Sequence, residues 1–466
     1  MKEKLYKAAI SLAVIFMAAA QSYAEISVSG NLETRNQSGI HEGDIYRNYL
    51  KADIELGENI NNTVVKVLLR AEDDSLRPEK DTTTRNYLSS DYDGPQRVYL
   101  REGYLSHDIY FDSVIDSINI KMGRIIYTWG NADEQKPVDI LNPQDYSNLY
   151  FTPIQERKIG VFSGSASIFF TENFFLEGVV IPEFKSSEIA SEIFVPEEIK
   201  ELRSNTAIYD LKDPVEPDKN NKKNSYGARL GLTLFDIDMH LNYFYGYDRL
   251  PVNKFQFTTT SSYPFISLPL IVTPEYKQIQ MIGFDFQRAL FWGITLRGEG
   301  AYYTKGKYFY YSDEAPAGSS GLTGLLLSPV GKDLTSGGTG SIEKDYGEYT
   351  VGFDDHDFIF DDLYLNLQFN QKVIVKHEET LAQEKYINHI LWNVKYFMVN
   401  KKYCISTKGA YNTKDKSIYG NGEFLVKPAD NLELMLGLWI MEGKEDTDIG
   451  QFDHNDMVYI AGKLTF

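Results

Sequence analysis

The C-terminal residues of the chain alternate strictly between two kinds of side chain. One face of this segment is formed by every second residue from Val458 to Phe466 and is apolar, whereas the other face runs from Tyr459 to Thr465 and includes Lys463. Alternate residues of a β-strand point to opposite faces. One lipid-compatible face and one polar face at this length suit a strand that crosses a bilayer as part of a closed barrel.

The two ends of the sequence both predict export to an outer membrane. Three lysines in the first seven residues precede an apolar core over residues 8–20, and Ser22-Tyr23-Ala24 fits a signal-peptidase site. We therefore expect residues 1–24 to be a cleaved signal peptide, because the core is too short for a retained anchor. The final Phe466 resembles the terminal aromatic residue by which the barrel-assembly machinery recognises outer-membrane proteins, so this machinery is an expected partner.

The composition excludes several classes of protein. No apolar run after residue 24 approaches the roughly 18 residues that a spanning helix needs. The mean hydropathy of -0.34 would normally indicate a soluble protein, but a barrel has polar loops and presents only alternate residues to lipid. The single Cys404 excludes an internal disulfide framework. The formal net charge of -19 disfavours nucleic-acid binding.

Alternating segments of strand length recur along the whole chain. We count about eighteen, with sixteen as the alternative, and they start near Glu25, Tyr46, Thr63, Gln96, Asp116, Ile159, Phe174, Ser225, Ile237, Lys277, Trp292, Tyr346, Phe358, Lys385, Lys402, Lys416, Leu432 and Asn455. No linker divides them. The sequence therefore predicts an all-β fold in which residues 25–466 form one transmembrane antiparallel up-and-down β-barrel.

The connections between these segments alternate in length. Tight turns such as residues 171–173 and 400–401 alternate with long stretches such as residues 127–158 and 305–345. Outer-membrane barrels have short periplasmic turns and long extracellular loops. The pattern places both ends of the barrel sheet on the periplasmic side and requires an even number of strands.

Charged residues at lumen-facing positions indicate where solutes would be selected. Five basic residues on the third to fifth strands form a candidate ladder: Lys66, Arg70, Arg97, Arg101 and Lys121. The following loop, residues 127–158, carries four acidic residues: Asp133, Glu134, Asp139 and Asp145. Folded inward, the loop would create a constriction whose transverse field favours anionic or zwitterionic solutes. Alternatively, ladder and loop neutralise each other and only hold the fold together.

The same loop carries a spaced motif. Gly123-Arg124 is followed by Trp129-Gly130-x-x-Asp133 and then by Asp139-x-x-Asn142-Pro143-x-Asp145, and the next strand pair ends on Ile181-Pro182-Glu183-Phe184. This pattern resembles a family of Gram-negative outer-membrane proteins, domain-of-unknown-function family 1302. The resemblance implies an outer-membrane barrel, suggests a role in the passage of small or hydrophobic compounds, and supplies no substrate.

The motif residues themselves suggest a structural role. Pro143 favours an extended conformation at Asn142, and asparagine side chains often bond neighbouring backbone in turns. Trp129 would anchor the loop through its bulky ring, and Gly130 would let the chain bend beside it. Gly123 lies at the end of the preceding strand. We interpret these five residues as determinants of loop geometry rather than as solute ligands.

Catalytic motifs are absent from the sequence. It contains no convincing Gly-x-Ser-x-Gly nucleophile elbow, no His-Glu-x-x-His metal motif and no phosphate-binding loop of Walker type. We therefore expect neither enzymatic activity nor a cofactor or metal.

Three functions fit these observations. The leading hypothesis is a porin-like channel for passive diffusion of small solutes. The alternative is an outer-membrane component of lipid or hydrophobic-compound transport that works with an inner-membrane exporter, and the third is a plugged structural or adhesive barrel. Outer-membrane lipid and lipopolysaccharide are expected to surround the barrel, and the sequence leaves open whether it is a monomer or a homotrimer.

Overall fold

A computed structural model gives the fold. It describes residues 26–40, 45–77, 95–148, 151–189, 204–205, 209–217, 224–259, 266–305, 307–312, 333, 338–356, 361–444, 447 and 449–466. The expected signal peptide lies outside these ranges.

Nearly all of the regular structure is β-strand. The strands are β1 (Ser27–Gly39), β2 (Ile45–Ile60), β3 (Thr63–Asp74), β4 (Gln96–Tyr110), β5 (Ser117–Ile125), β6 (Val161–Thr171), β7 (Phe174–Ile181), β8 (Tyr209–Leu211), β9 (Ser225–Leu234), β10 (Ile237–Tyr247), β11 (Val252–Thr259), β12 (Ile266–Glu275), β13 (Gln278–Ala289), β14 (Thr295–Lys305), β15 (Tyr308–Tyr310), β16 (Ser341–Glu343), β17 (Tyr346–His356), β18 (Leu363–Ile374), β19 (Tyr386–Met398), β20 (Tyr403–Asn412), β21 (Ile418–Ala429), β22 (Leu432–Glu442) and β23 (Met457–Thr465). One short helix, α1 (Ile154–Arg157), and two 3-10 turns (Phe291–Gly293 and Gly450–Asn455) complete the described elements.

Eighteen of these strands form one closed antiparallel barrel. Strands β8, β11 and β12 form a separate three-stranded sheet, and β15 pairs with β16. The barrel closes where β23 pairs with β1, and Gly30 and Phe466 exchange backbone hydrogen bonds of 2.9 and 3.0 Å at this seam. The predicted all-β barrel and its strand number are confirmed. The thirteenth predicted strand, placed from Phe358, begins at Leu363, and residues 357–360 lie outside the described ranges.

The outer surface of the barrel is apolar. On β22, Leu434, Leu436 and Leu438 are 46%, 56% and 40% exposed, whereas the alternate residues Met435 and Trp439 are buried in the lumen. Exposed large apolar side chains recur on most of the other barrel strands. An apolar surface of this extent requires lipid around it. None of the helices in the described part of the chain is long and apolar enough to cross a membrane.

The two ends of the barrel differ as the sequence predicts. At one end, neighbouring strands are joined by short turns such as Asn61–Asn62 and Phe235–Asp236. At the other end most connections are long, and the described residues between β5 and β6 (126–148 and 151–160) fold into the lumen. We call this segment the inner loop, and it contains α1.

Candidate functional site: the inner loop and the lumen wall

An apolar cluster attaches the inner loop to one sector of the wall. Trp129, Val138 and Leu141 of the loop are at most 2% exposed. They pack with buried wall residues of β5, β6, β7, β10, β13 and β14, namely Ile125, Val161, Val179, Ile181, Phe244, Ile279, Met281, Ala301 and Tyr303. The site for the Trp129 ring exists because residue 227 is glycine, since a Cβ there would come within 2.9 Å of the ring. We call the wall formed by these buried residues of β5, β6, β7, β10, β13 and β14 the apolar sector.

The Glu299 carboxylate of β14 holds the bend after Trp129. Its oxygens accept hydrogen bonds from the backbone N–H of Ala132 (3.0 Å) and of Val138 (3.5 Å). Gly130 has a φ of 81°, and a Cβ at this position would lie 2.2 Å from the Glu299 carboxylate. Only glycine combines this conformation with such a close approach, which accounts for the Trp-Gly step of the motif.

The tip of the inner loop crosses the lumen. Asp133 accepts hydrogen bonds from Asn366 (2.5 Å) and Gln368 (3.0 Å) of β18 and lies 3.5 Å from Arg297 of β14. Glu134 lies 3.9 Å from Lys408 of β20. These two acidic residues therefore face the wall opposite the basic ladder.

Asn142 joins the two ends of the loop. Its side-chain oxygen accepts a hydrogen bond from the backbone N–H of Tyr127 (2.7 Å), and its amide group donates to the carbonyls of Ile125 (3.0 Å) and Ile159 (2.9 Å). The carbonyl of the next residue, Pro143, accepts from Ile159 N–H at 2.9 Å. Asn142 thus supplies three hydrogen bonds at the neck of the loop.

On the other side of the lumen the loop contacts charged residues. Glu156 of α1 lies 2.9 Å from Arg70, 3.0 Å from Arg101 and 3.3 Å from Lys51. Arg70 also forms a bidentate pair with Asp53 of β2, at 2.7 and 2.8 Å. Burial acts to raise the pKa of Glu156, but the three cations hold it well below its usual range.

A second group of ion pairs lies nearer the long-loop end. Arg77, just beyond β3, pairs with Asp145 of the inner loop and with Glu188. Arg97 pairs with Glu72. Burial raises the pKa of Asp145, but Arg77, Ser147 and Arg97 together lower it to about 2, so this carboxylate is ionised at neutral pH.

These ion pairs border a cavity of about 380 Å³ between the inner loop and the wall, which we call the first cavity. It extends from Arg47 and Asp74, near the long-loop ends of β2 and β3, to Glu433 and Lys463, near the short-turn ends of β22 and β23. Twelve basic residues line it: Arg35, Arg47, Lys51, Arg70, Arg77, Arg97, Arg101, Arg124, Arg157, Lys158, Lys185 and Lys463. Seven acidic residues accompany them: Glu33, Glu72, Asp74, Asp145, Glu156, Glu188 and Glu433. The lining therefore carries an excess of positive charge.

The structure brings together only part of the predicted ladder and loop. Arg70, Arg97, Arg101 and Asp145 line the first cavity. Lys66 instead pairs with Glu102 and Glu55 near the short-turn end, and Lys121 lies over the Tyr104 ring. Asp133 and Glu134 face the opposite wall, and Asp139 pairs with Lys158 inside the loop.

Sequence reasoning missed several residues of this site. Lys51 and Asp53 lie on β2, whose lumen face alternates as clearly as that of β3, so the same pattern could have identified them. Arg77 and Glu156 lie outside the barrel strands, where no periodicity marks them. Their positions depend on how the loops fold inward.

Comparison with known proteins gives one family. Residues 8–392 match the family described as "Protein of unknown function (DUF1302)". The chain belongs to this family. The resemblance inferred from the loop motif is therefore confirmed, and the DUF1302 match ends within β19. No curated protein matches the chain.

Several solved barrels are similar to this DUF1302 protein. They include a BenF-like porin from Pseudomonas fluorescens (TM-score 0.49, 7% identity, covering 95% of this chain and 97% of that one). They also include OccAB1 (0.48, 8%, 95% and 96%) and the outer membrane channel DcaP (0.42, 8%, 95% and 98%), both of Acinetobacter baumannii. At such low identity, the function has to be argued from this chain's own residues.

Proposed function

We propose that the protein is an outer-membrane porin-like channel through which small solutes diffuse passively. The observation that supports this is the first cavity, a charged space of about 380 Å³ that runs along the inside of a lipid-compatible barrel. In this proposal the short-turn end faces the periplasm and the long loops face outward. The export signal expected at residues 1–24 agrees with this location.

The inner loop acts as the constriction of this channel. It contacts the apolar sector through Trp129 and Leu141, β18 through Asp133, and β2 to β4 through Glu156. Phe151 of the loop also packs edge-on against Trp439 of β22, with ring centroids 5.1 Å apart. A loop attached to several sectors leaves the first cavity as the space available to a solute on the charged side.

The lining of the first cavity favours anionic solutes. Its twelve basic residues outnumber its seven acidic residues, and charge in a narrow, low-dielectric passage strongly biases the local concentration of ions. The carboxylates that line it are largely paired with arginine and lysine. A small organic or inorganic anion is therefore the preferred solute class.

Transport of hydrophobic cargo, the alternative suggested by the sequence, gains no support. The apolar residues of the described lumen wall form two packed clusters. One is covered by Trp129, Val138 and Leu141 of the inner loop, and the other, on β22 and β23, packs with Leu76 and Phe151. These apolar residues are therefore packed against other side chains and do not line an apolar pathway. The first cavity, in contrast, is lined mainly by charged side chains.

Reconstitution of the purified barrel tests the proposal. In planar bilayers under a KCl gradient we expect discrete single-channel currents with a reversal potential that reports anion preference. In liposome swelling, small organic acids should enter faster than neutral sugars of similar size. A folded barrel with neither current nor solute flux would contradict the proposal.

A variant of Arg101 tests whether solutes pass through the first cavity. Arg101 contacts Glu156 and the carbonyl of Gln155, at 3.0 and 2.7 Å. Arg101→Gln should therefore reduce the anion preference and change the conductance. The control is Lys416→Gln, which removes an exposed lysine outside the first cavity and should leave both quantities unchanged.

A further inference from the structure

Three basic side chains of the lumen wall meet at one point of the first cavity. They are Lys51 of β2, Arg70 of β3 and Arg101 of β4, on three neighbouring strands. All three contact the same atom, Oε2 of Glu156, at 3.3, 2.9 and 3.0 Å in that order. We call these three residues the cation triad. The triad is a built anion site, and a carboxylate of the protein itself occupies it.

Glu156 separates the cation triad from the open space of the first cavity. The side chains of the triad are only 4%, 6% and 9% exposed, whereas that of Glu156 is 38% exposed. All four residues line the cavity. The triad would therefore face the cavity directly if the Glu156 side chain rotated away.

A neighbouring carboxylate of the same cluster is held much more firmly. Asp53 binds Arg70 through both of its oxygens, at 2.7 and 2.8 Å, and its side chain is 6% exposed. Glu156 contacts the triad through one oxygen, and its Oε1 accepts no hydrogen bond from any residue that the structure describes. Bidentate pairing is the stronger geometry. Glu156 is therefore the carboxylate that an incoming anion can replace.

The backbone of α1 can stay in place during such an exchange. Arg101 Nη2 donates a hydrogen bond of 2.7 Å to the carbonyl of Gln155, and the Ile154 side chain is buried. Only the side chain of Glu156 has to move, and exposed side chains change rotamer within nanoseconds. Three buried cations without a carboxylate would be unfavourable, so Glu156 should leave only when another anion takes its place.

The charges of the cluster set the kind of anion that fits. Three carboxylates balance the triad: Glu156, Asp53, and Glu33, which lies 2.9 Å from Lys51. Displacement of Glu156 leaves one positive charge in excess, and a single carboxylate group restores the balance. The displaced group is itself a carboxylate on a short aliphatic chain, so a small organic acid fits the same space.

We propose that the cation triad binds a small organic carboxylate, and that Glu156 is an intramolecular competitor that occupies the site until the carboxylate replaces it. Arg70 Nη2, Arg101 Nη1 and Lys51 Nζ then donate to the bound carboxylate instead of to Glu156. The inference rests on the proposed function, because it names the site that an anion occupies on its way through the channel.

Calorimetric titration of the purified full-length barrel in detergent tests the proposal, with succinate as the probe and succinamide as its uncharged analogue. An apparent affinity is reduced by the fraction of time for which a site is free, so a competitor present nine-tenths of the time weakens binding about tenfold. Glu156→Ala should therefore bind succinate at least tenfold more tightly than the wild type. Glu156→Gln, which keeps the shape without the charge, should fall between them.

The opposite result is expected if Glu156 only shapes the site. Unchanged or weaker succinate binding in Glu156→Ala would then overturn the proposal, because removal of a competitor cannot reduce affinity. Equal binding of succinate and succinamide by Glu156→Ala would overturn it as well.

A double variant tests whether the gained affinity belongs to the cation triad. Arg101→Gln combined with Glu156→Ala should lose at least tenfold of the affinity that Glu156→Ala gains, because a charge-assisted hydrogen bond is removed. Persistence of the full gain in the double variant would place the anion elsewhere and refute the proposal.

Glu433→Gln is the matched control. Glu433 lines the same cavity but pairs with Lys427, at 2.8 Å, and contacts no member of the triad. Its neutralisation should raise the affinity at most about threefold. Glu348→Gln neutralises a residue that lines a second cavity of about 490 Å³, which contains none of the triad, and should have less effect still. Equal gains in Glu433→Gln and Glu156→Ala would show general charge attraction and count against the site.

The fold and the channel function are checked separately. Glu156→Ala leaves buried cations without a partner, so its thermal midpoint without ligand should be lower than that of the wild type, and succinate should raise it by more. Binding in detergent requires no transport. Tighter binding by Glu156→Ala without any current in bilayers would contradict only the channel, whereas anion-selective currents without tighter binding would contradict only the role of the cation triad.

Discussion

The two sides of the lumen hold the inner loop by different physical means. Against the apolar sector, Trp129, Val138 and Leu141 are buried among aliphatic and aromatic side chains. Against β2 to β4, the loop presents Asp145 and Glu156 to arginine and lysine. Close packing excludes water from the first side, whereas the charged groups of the second side border an open cavity.

This difference means that one side of the lumen supports the inner loop and the other selects the solute. Apolar packing involves no titrating group and is not weakened by ionic screening, so the apolar sector can fix the position of the loop under varied conditions. Ion pairs that line a wet cavity respond to pH, to salt and to a passing ion. The comparison therefore assigns most of the apolar attachment of the loop to the apolar sector and the choice of solute to the charged side.

Removal of the aromatic anchor should give the largest effect. Trp129→Ala leaves a large void beside Gly227, at a cost of about 3–5 kcal/mol. The loop should detach from the apolar sector, and the single-channel conductance should rise several-fold. Trp292→Ala is the control, because Trp292 is 73% exposed on a short turn. A wild-type conductance in a folded Trp129→Ala barrel would refute the assigned role of the apolar sector.

Loss of the neck hydrogen bonds should have the next largest effect. Asn142→Ala removes three hydrogen bonds, which together contribute about 2–4 kcal/mol. The thermal midpoint should fall and the channel current should become noisier. Asn142→Asp keeps the acceptor for Tyr127 N–H but turns a carboxylate oxygen towards the carbonyls of Ile125 and Ile159, so its thermal midpoint should fall at least as far as that of Asn142→Ala. Asn173→Ala, on an exposed turn, should leave the midpoint unchanged.

The ion pairs that border the first cavity should make the stability of the barrel depend on pH. Because the pKa of Asp145 is lowered to about 2 in the folded state, its ion pair stabilises the fold fully above the unfolded-state pKa of about 4. This stabilisation is lost as the pH falls from about 4 towards 2.

Asp145→Asn tests this window. The difference in thermal midpoint between the wild type and Asp145→Asn should be constant near neutral pH, where the neighbouring Glu188 is also ionised, and shrink as the pH falls below about 4. Asp430→Asn, which changes an exposed turn residue, should track the wild type throughout. A difference that grows as the pH falls would contradict the assigned ion pair.

The smallest effect is expected from a single charge at the edge of the first cavity. Lys463→Gln should lower the anion-to-cation permeability ratio about twofold, because one of twelve basic residues is removed. The reversal potential in a KCl gradient measures this ratio. An unchanged ratio would place the ion path away from β23.

The barrel could be predicted from the sequence because each strand repeats the same local rule. Alternation identified the strands without knowledge of their partners, and the register of the antiparallel pairs follows from the short turns. The alternation of β4 has one irregularity that residue spacing alone does not explain. Glu102 falls on the lipid side if the alternation of β4 continues, but a bulge lets Leu68 pair with Glu102 and Leu69 with Leu100. Glu102 thereby pairs with Lys66.

The contacts of the inner loop were harder to predict because loop residues do not alternate in a regular pattern as strand residues do. The motif indicated that Trp129, Gly130 and Asn142 shape the loop, but the sequence did not show that Glu299 of a distant strand would hold the bend. Nor did it show that Arg77 would lie between Asp145 and Glu188. Such contacts depend on the path of a long segment through the lumen, which residue spacing alone does not determine.

The seam between β1 and β23 has a consequence for biogenesis. Gln37 and Met457, which meet there, are 420 positions apart, so the ring can be completed only after the whole sheet has been laid down. Until then two unpaired strand edges remain available to other chains. A chaperone that shields these edges would govern the yield of mature protein more than any single contact inside it.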